Sequence, residues 1–313
     1  MPWWLFRRRA RSTSGAPAPA QPSSSSGWRL GEVALPRLHG SRRYLQEQPY
    51  LLPKDLGEAN RLDFQHYALR AALRGNYLAP IEQPRRILDV GCGTGQWAFE
   101  LARQFPHAEV IGLDLEQVKA TQPPPNYRFV QGDVLKGLPF DNNSFDFVHQ
   151  RLLVLAIPLA AWPGAVQELA RVTSPGGWIE LVEVSIHTSN IIPAGPANEH
   201  FVSLACQLAA LRGLDSEGIV MRSLDRYLEQ AGLVNVQRHP IKVPLGEWGG
   251  HIGALLALDF REAWKAISGP LAARFQIPES EILQLIDRAC QEWDELHSCC
   301  YFTVAYGQKP LPR

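Results

Sequence analysis

Hydrophobic and polar residues along this chain change period as the chain proceeds. Between Glu58 and Gly75, the leucines Leu62, Leu69 and Leu73 share one stripe at helical spacing, and Gly75 stands where a helix would stop. Short apolar runs then alternate with helical stretches: Ile87–Val90, Val110–Asp114, Phe129–Val130, Phe145–His149 and Trp178–Val184. This alternation predicts a parallel sheet with helices on both faces. Beyond Ile192 helical spacing dominates. Ala197–Arg212 predicts one helix and Leu224–Ala231 another, with Ser223 suited to cap the second and Gly232 to end it. Val234–Val243 alternates as a strand. Ile282, Ile286, Ala289, Trp293 and Leu296 repeat as a helical stripe, and Tyr301–Tyr306 reads as a final strand. The chain shows no internal repeat.

Composition adds a domain layout. Ser12–Gly27 consists only of Ser, Thr, Gly, Ala, Pro and Gln. Such a segment buries too little apolar surface to offset its ordering entropy, so disorder is expected. The layout is then a tail over 1–40, a helical cap over 41–82, and an α/β domain over 83–313 with helical insertions at about 193–222 and 245–299. The 313 residues include 31 basic and 31 acidic side chains. A nucleic-acid-binding protein needs a basic excess for its phosphate contacts, so that class is set aside. The five cysteines, Cys92, Cys206, Cys290, Cys299 and Cys300, form no CxxC pair. That usage fits a reducing cytosol rather than a disulfide framework or a zinc site, and no metal is expected. The longest apolar run, Leu152–Val166, is broken by Pro158 and Pro163 and is shorter than the roughly 20 residues a membrane span needs. At the start, Trp3, Trp4 and Phe6 precede Arg7, Arg8, Arg9 and Arg11, the reverse of a signal peptide's order. A floppy tail is the expectation, with a surface anchor as its alternative.

Ile87-Leu-Asp-Val-Gly-Cys-Gly-Thr-Gly-Gln96 carries the chemistry. An apolar strand runs directly into three glycines at alternate positions, and a helical pattern containing Trp97 and Leu101 follows. Glycine serves where the backbone turns sharply or a ligand must approach the main chain, and a helix N-terminus offers free N–H donors. Alone, a GxG is an ordinary tight turn. Here Asp114 closes the next strand, where a carboxylate can take both ribose hydroxyls of a nucleoside. Asp133 closes the third, within reach of an adenine amine. Dinucleotide folds use G-x-G-x-x-G, whereas this spacing is G-x-G-x-G with Gln96 at the dinucleotide position. Asp89 would repel a pyrophosphate but suits a cationic amine. The implied ligand is a positively charged nucleoside without phosphates, a description that S-adenosylmethionine meets.

Through the Asp89–Gly95 loop, Asp114, Gly132-Asp133, Phe145-Asp-Phe-Val148 and Arg171-Val-Thr-Ser-Pro-Gly-Gly177, the region Arg86–Val184 resembles the class I S-adenosylmethionine-dependent methyltransferases. Arg43-Tyr44, Arg61-Leu-Asp-Phe-Gln-His66 and the helical insertion before Tyr301–Gly307 are similar to the LaeA-type and UMTA-type methyltransferases of fungal secondary metabolism. The resemblance implies a Rossmann-like seven-stranded sheet in the order 3-2-1-4-5-7-6, with the last strand antiparallel. It implies S-adenosylmethionine as cofactor and S-adenosylhomocysteine as product. Asp89, Gly91, Cys92, Gly93 and Gly95 would hold the methionine moiety. Asp114 would bind the ribose, Leu115 would pack on the adenine, and Asp133 and Val134 would recognise its edge. Gln150 would lie near the methionine carboxylate or sulfonium. Tyr44 precedes the cap helix, where a lid aromatic would attract the sulfonium.

Methyl transfer from a sulfonium needs mainly proximity, alignment and a dry pocket, and a base only if the acceptor must lose a proton. His149 ends the fourth strand and His187 follows the fifth, so both are candidates for that base; a buried structural histidine is the alternative for each. His66 would close the cofactor pocket or pack in the core. Glu183, late in the fifth strand, would have a raised pKa or would pair with Arg151. The activity these residues imply is methyl transfer to O, N or C of a small, largely apolar metabolite. A regulatory protein that binds S-adenosylmethionine and works through a protein partner is the rival.

Overall fold

A computed structural model describes residues 38–39, 42–44, 49–118 and 122–312; apart from Leu38 and His39, the tail expected over 1–40 lies outside the described residues. β1 (Leu38–His39) and β2 (Arg42–Arg43) pair as a minimal antiparallel ribbon. The Asp55 carboxylate accepts the Glu58 N–H at 3.0 Å and starts α1 (Leu56–Leu73). Gly75 does not take the left-handed position that ends this helix; Arg74 does, at φ 56°, and Gly75 follows it.

The α/β layer then unrolls as β3 (Arg86–Val90), α2 (Gln96–Gln104), β4 (Glu109–Asp114), β5 (Tyr127–Gln131), β6 (Phe145–Arg151), α3 (Trp162–Val172) and β7 (Thr173–Val184). After β7 come β8 (Ile191–Ile192), α4 (Pro196–Ala210), α5 (Ile219–Gln230) and β9 (Val234–Pro244). The chain finishes with α6 (Gly250–Ala266), α7 (Ser268–Phe275), α8 (Glu279–Glu295) and β10 (Cys299–Gln308). In space the strands run β5-β4-β3-β6-β7-β10, with β9 along the other side of β10. β3 to β7 are parallel, and β10 is antiparallel to both β7 and β9. This is the expected 3-2-1-4-5-7-6 order, with the two-residue β8 added beside Cys299 and Cys300.

Burial on both faces explains why the central strands β3, β4 and β6 are buried along most of their length and largely apolar at their middles. Ile87, Val110 and Phe147 pack with α2 through Trp97 and Leu101. Their neighbours Leu88, Ile111 and Val148 face the opposite way, toward Val166 and Leu169 of α3 and Leu224 and Leu228 of α5. One helix was not anticipated from the sequence, and another begins earlier than expected. α3 emerges from the Pro-interrupted run 152–166, because Pro163 sits in the helix's first turn, where its missing N–H costs nothing. α5 begins at Ile219 rather than Leu224, since Asp215 accepts the N–H groups of Ile219 (3.0 Å) and Val220 (2.7 Å) and so replaces Ser223 as the cap. The remaining helices form a second core over the carboxyl ends of the strands, built from Phe201, Leu208, Ile267, Leu271 and Ile286 together with Leu51 and Leu52. Among the described residues no helix is long and apolar enough to cross a membrane.

Candidate active site

The loop leaving β3 is held by its neighbour strand. The Gly91 and Cys92 N–H groups both donate to the Leu113 carbonyl, at 2.7 and 3.0 Å. Gly91 has φ 72°, and a Cβ there would lie 2.6 Å from Leu153 Cδ2, so both the turn and the packing demand glycine. Gly112 makes room in a different way: a Cβ would meet Tyr127 Oη at 2.5 Å and Cys92 Sγ at 2.9 Å, the two groups that back the loop. Burial, reinforced by Asp89 and Asp114, pushes the Cys92 thiol up and keeps it protonated. α1 roofs the loop, with Thr94 Oγ1 donating to Asp63 Oδ1 at 2.7 Å.

Three acids stand at the strand ends. Asp114 Oδ2 accepts Gly93 N–H at 2.9 Å, while its Oδ1 accepts Leu115 N–H at 2.8 Å and Lys54 Nζ at 2.9 Å. Asp133 caps a short 3-10 turn at Val134–Lys136 by accepting Leu135 N–H at 3.0 Å. Asp89 is 3 % exposed, and its Oδ1 lies 2.9 Å from His149 Nδ1. The His149 ring stacks on Trp97 at 3.8 Å between centroids. Burial lowers the His149 pKa, against the pull of Asp89, so the ring is neutral and Nδ1–H donates to the carboxylate.

These groups border a cavity of about 240 Å³ at the carboxyl edge of the sheet. Of the residues expected at the site, Asp89, Gly91, Cys92, Gly93, Asp114, Leu115, Asp133, Val134 and His187 line it. Four others lie off its wall. Gly95 is the N-cap of α2. Tyr44 donates its hydroxyl to the Ala266 carbonyl and ties the segment before α1 to α6. Gln150 is fully buried, with neither amide atom hydrogen-bonded among the described residues. His149 stands behind Asp89, so it steadies that carboxylate and does not face the cavity. His187 Nδ1 accepts the Ser189 N–H at 3.2 Å, which leaves the proton on Nε2 in the neutral ring.

The first half of this arrangement is shared with known proteins. A family described as "Methyltransferase domain" matches residues 87–177. The chain is 28 % identical over 290 residues to methyltransferase pytC of Aspergillus terreus, covering 87 % of each chain. It is 32 % identical over 253 residues to the secondary metabolism regulator LAE1 of Cochliobolus heterostrophus, covering 76 % of each. The chain belongs to the S-adenosylmethionine-dependent methyltransferases. The fold agrees with a putative methyltransferase from an antibiotic biosynthesis pathway of Anabaena variabilis, at a TM-score of 0.50 and 16 % identity over 77 % of this chain and 97 % of that one.

The methyltransferase loop fits that cofactor's chemistry on this chain's own geometry. Gly91, Gly93 and Gly95 keep side chains out of the loop, a braced carboxylate waits at Asp89, and Asp114 presents its carboxylate at the next strand end. Other lining residues were not legible as site residues. Lys54 and Arg61 arrive with the cap, and Asp259 and Trp264 come from α6. Arg61 grips Glu58 with two N–H groups, at 2.9 and 2.6 Å, and reaches Asp259 with a third, all three side chains being buried. The i, i+3 spacing of Glu58 and Arg61 was a local signal for the first pair. Glu183 does not pair with Arg151: it accepts Leu153 N–H at 2.8 Å and Val154 N–H at 3.2 Å, holding the cavity-lining turn after β6. Burial pushes its pKa up to about 8. Among the described residues no group of three or more His, Cys, Asp or Glu is placed to hold a metal ion.

Proposed function

We propose that this methyltransferase transfers the methyl group of S-adenosylmethionine to an O, N or C atom of a small, largely apolar metabolite, in secondary metabolism and in a reducing cytosol. The observation carrying this reading is the cavity's second wall. Val202 and Ala205 of α4, Phe260, Ala263 and Trp264 of α6, and Ile267 line the same cavity as the glycine loop. Trp264 is fixed by stacking on Phe201 at 4.1 Å between centroids, and rigid aromatic walls of this kind suit flat or branched apolar ligands.

In this reading the Asp89–Gly95 loop holds the methionine moiety, with Asp89 facing its ammonium. Asp114, preset by Gly93 N–H and Leu115 N–H, takes the ribose hydroxyls in place of Lys54. Leu115 packs on the adenine, and Asp133 and Val134 meet its edge. The bound cofactor supplies an electrophilic methyl on an excellent leaving group. The chain's own residues align the acceptor and exclude water, which supports transfer by roughly 7–11 kcal/mol of lost barrier in well-oriented systems. His187 is the one of the two base candidates, His149 and His187, that lies on the wall. To act as a base it must release the Ser189 N–H or shift its proton from Nε2. His149 serves through Asp89 as a positioning residue. A regulatory role through a protein partner is the second reading, favoured by the likeness to LAE1.

The test is S-adenosylmethionine bearing a deuterated methyl group, incubated with the full chain and a fungal cell extract. Mass spectrometry follows the label in metabolite and protein fractions. Label in a low-molecular-weight apolar product supports the reading, and label confined to protein overturns it in favour of the regulatory one.

A further inference from the structure

Arg151 ends β6 and is among the residues that line the cavity. Its only side-chain hydrogen bond among the described residues runs from Nη2 to His66 Nδ1, at 3.3 Å, and it forms no ion pair with a described carboxylate. A guanidinium carries five N–H donors in a planar fork. Arg151 is half-buried, and Asp89, Asp259, Glu100 and Glu180 act on its charge without bonding to its fork, so its free donors point to an acceptor that arrives with a ligand. The other cations on this wall are committed, Arg61 to Glu58 and Asp259, and Lys54 to Asp114. Arg151 is the exception among the described residues.

Its surroundings define the ligand. Asp89 lies on the neighbouring strand, opposite His149, and is near enough to act on the Arg151 charge. The strand ends therefore present one braced carboxylate and one unpaired guanidinium, complementary to the ammonium and carboxylate of an α-amino acid. His66 completes the device. It is 1 % exposed, and burial together with Arg151 holds its pKa down to about 4, so the ring is neutral with Nδ1 as acceptor. Its Nε2 lies 3.4 Å from Glu100 Oε1 without a hydrogen bond, and the nearby carboxylate favours the proton on that nitrogen.

Resting on the methyltransferase reading above, we propose that Arg151 is a carboxylate-binding residue of this cavity, taking the α-carboxylate of the cofactor's amino-acid moiety, and that His66 positions its guanidinium. The same fork would also accept a carboxylate on the methyl acceptor, so the experiment separates the two sources. Calorimetry on the full chain compares S-adenosylhomocysteine with 5′-methylthioadenosine, which has the same nucleoside and thioether but no amino acid. Arg151→Gln is expected to weaken S-adenosylhomocysteine roughly 10- to 100-fold, the range for charged hydrogen bonds, and to leave methylthioadenosine unchanged. Arg151→Lys, which keeps the charge but not the fork, should fall between. His66→Phe should show the same split at smaller size, whereas a merely structural role would move both ligands together. If S-adenosylhomocysteine binding is unchanged in Arg151→Gln, and phenylacetate binds the S-adenosylhomocysteine-loaded wild type only when Arg151 is present, the carboxylate belongs to the acceptor. Equal losses for both nucleosides, or no change with any of the three ligands, overturn the proposal. Failure of the wild type to bind either nucleoside overturns the methyltransferase reading instead.

Discussion

Replacing Glu180 by Gln should flatten the alkaline half of the protein's stability profile. Glu180 lies on β7 with no exposure, and its Oε2 accepts the N–H groups of both Leu78 and Ala79 at 2.7 Å. Its Oε1 has no hydrogen bond among the described residues. Burial raises its pKa from 4.5 to about 7, outweighing the two N–H donors and Arg151. Because the folded pKa is the higher one, the folded protein binds the proton more tightly than the unfolded chain. The stability this contributes is complete below about pH 4.5 and is lost as pH rises through 7. Each pKa unit is worth about 1.4 kcal/mol, so the whole loss is on the order of 3 kcal/mol. A glutamine amide can keep its oxygen at the Oε2 position for both N–H groups and set its nitrogen where Oε1 already lacks a partner. The variant should therefore match the wild type near pH 5 and exceed it by about 3 kcal/mol near pH 9. Urea denaturation across pH 5–9 reads this directly. Glu183, raised to about 8, titrates in both proteins and cancels in the difference. Parallel stability curves for the two proteins would falsify the assignment of a buried, proton-retaining Glu180.

Other expectations concern the site. Asp114→Asn leaves one of three donors facing an amide NH₂ and removes the charge; S-adenosylhomocysteine affinity should fall by about 1–3 kcal/mol, and unchanged calorimetry would remove Asp114 from the ribose role. His149→Phe keeps the stack on Trp97 but withdraws the donor to Asp89. Cofactor affinity should drop by about 1 kcal/mol with the pH profile of kcat unmoved, and an altered profile would return His149 to proton transfer. His187→Ala should slow transfer to a hydroxyl acceptor more than it alters cofactor binding, and full turnover would place the base elsewhere. Trp264→Ala should raise KM for apolar acceptors while sparing cofactor affinity; a matching loss of cofactor binding would mean the wall is structural.

How much of this was readable follows from the range of each interaction. The glycine loop and the β3–β7 strands announce themselves through local period, and Asp114 and Asp133 through their place at strand ends. α3 was obscured because Pro158 and Pro163 interrupt an apolar run, although proline in a first helical turn is compatible with a helix. The α5 cap was misplaced because Asp215 reaches its donors from outside the apolar pattern. Arg151 looked like a partner for Glu183, since nothing local says that a helix 85 residues away will cover it with His66. The Lys54–Asp114 and Arg61–Asp259 pairs likewise join segments 60 and 198 residues apart. Chemistry on one loop was legible, whereas charge pairing between the cap and the rest was not.

The buried knot of Glu58, Arg61 and Asp259 bears on how such a scaffold changes its acceptor. α6 contributes Phe260, Ala263 and Trp264 to the cavity wall proposed to meet the acceptor, so exchanging that helix is the direct way to reshape it. Yet α6 also carries Asp259, and its charge partners sit on α1, whose other residues cover the glycine loop and steady Arg151. A graft of α6 that lost the carboxylate would leave Arg61 paired to Glu58 but with one buried guanidinium N–H lacking its acceptor, a loss of about 1–3 kcal/mol. In the proposed reading acceptor preference and cofactor grip are therefore coupled, and a chimera that exchanges α1 and α6 together is expected to fold better than one that exchanges α6 alone.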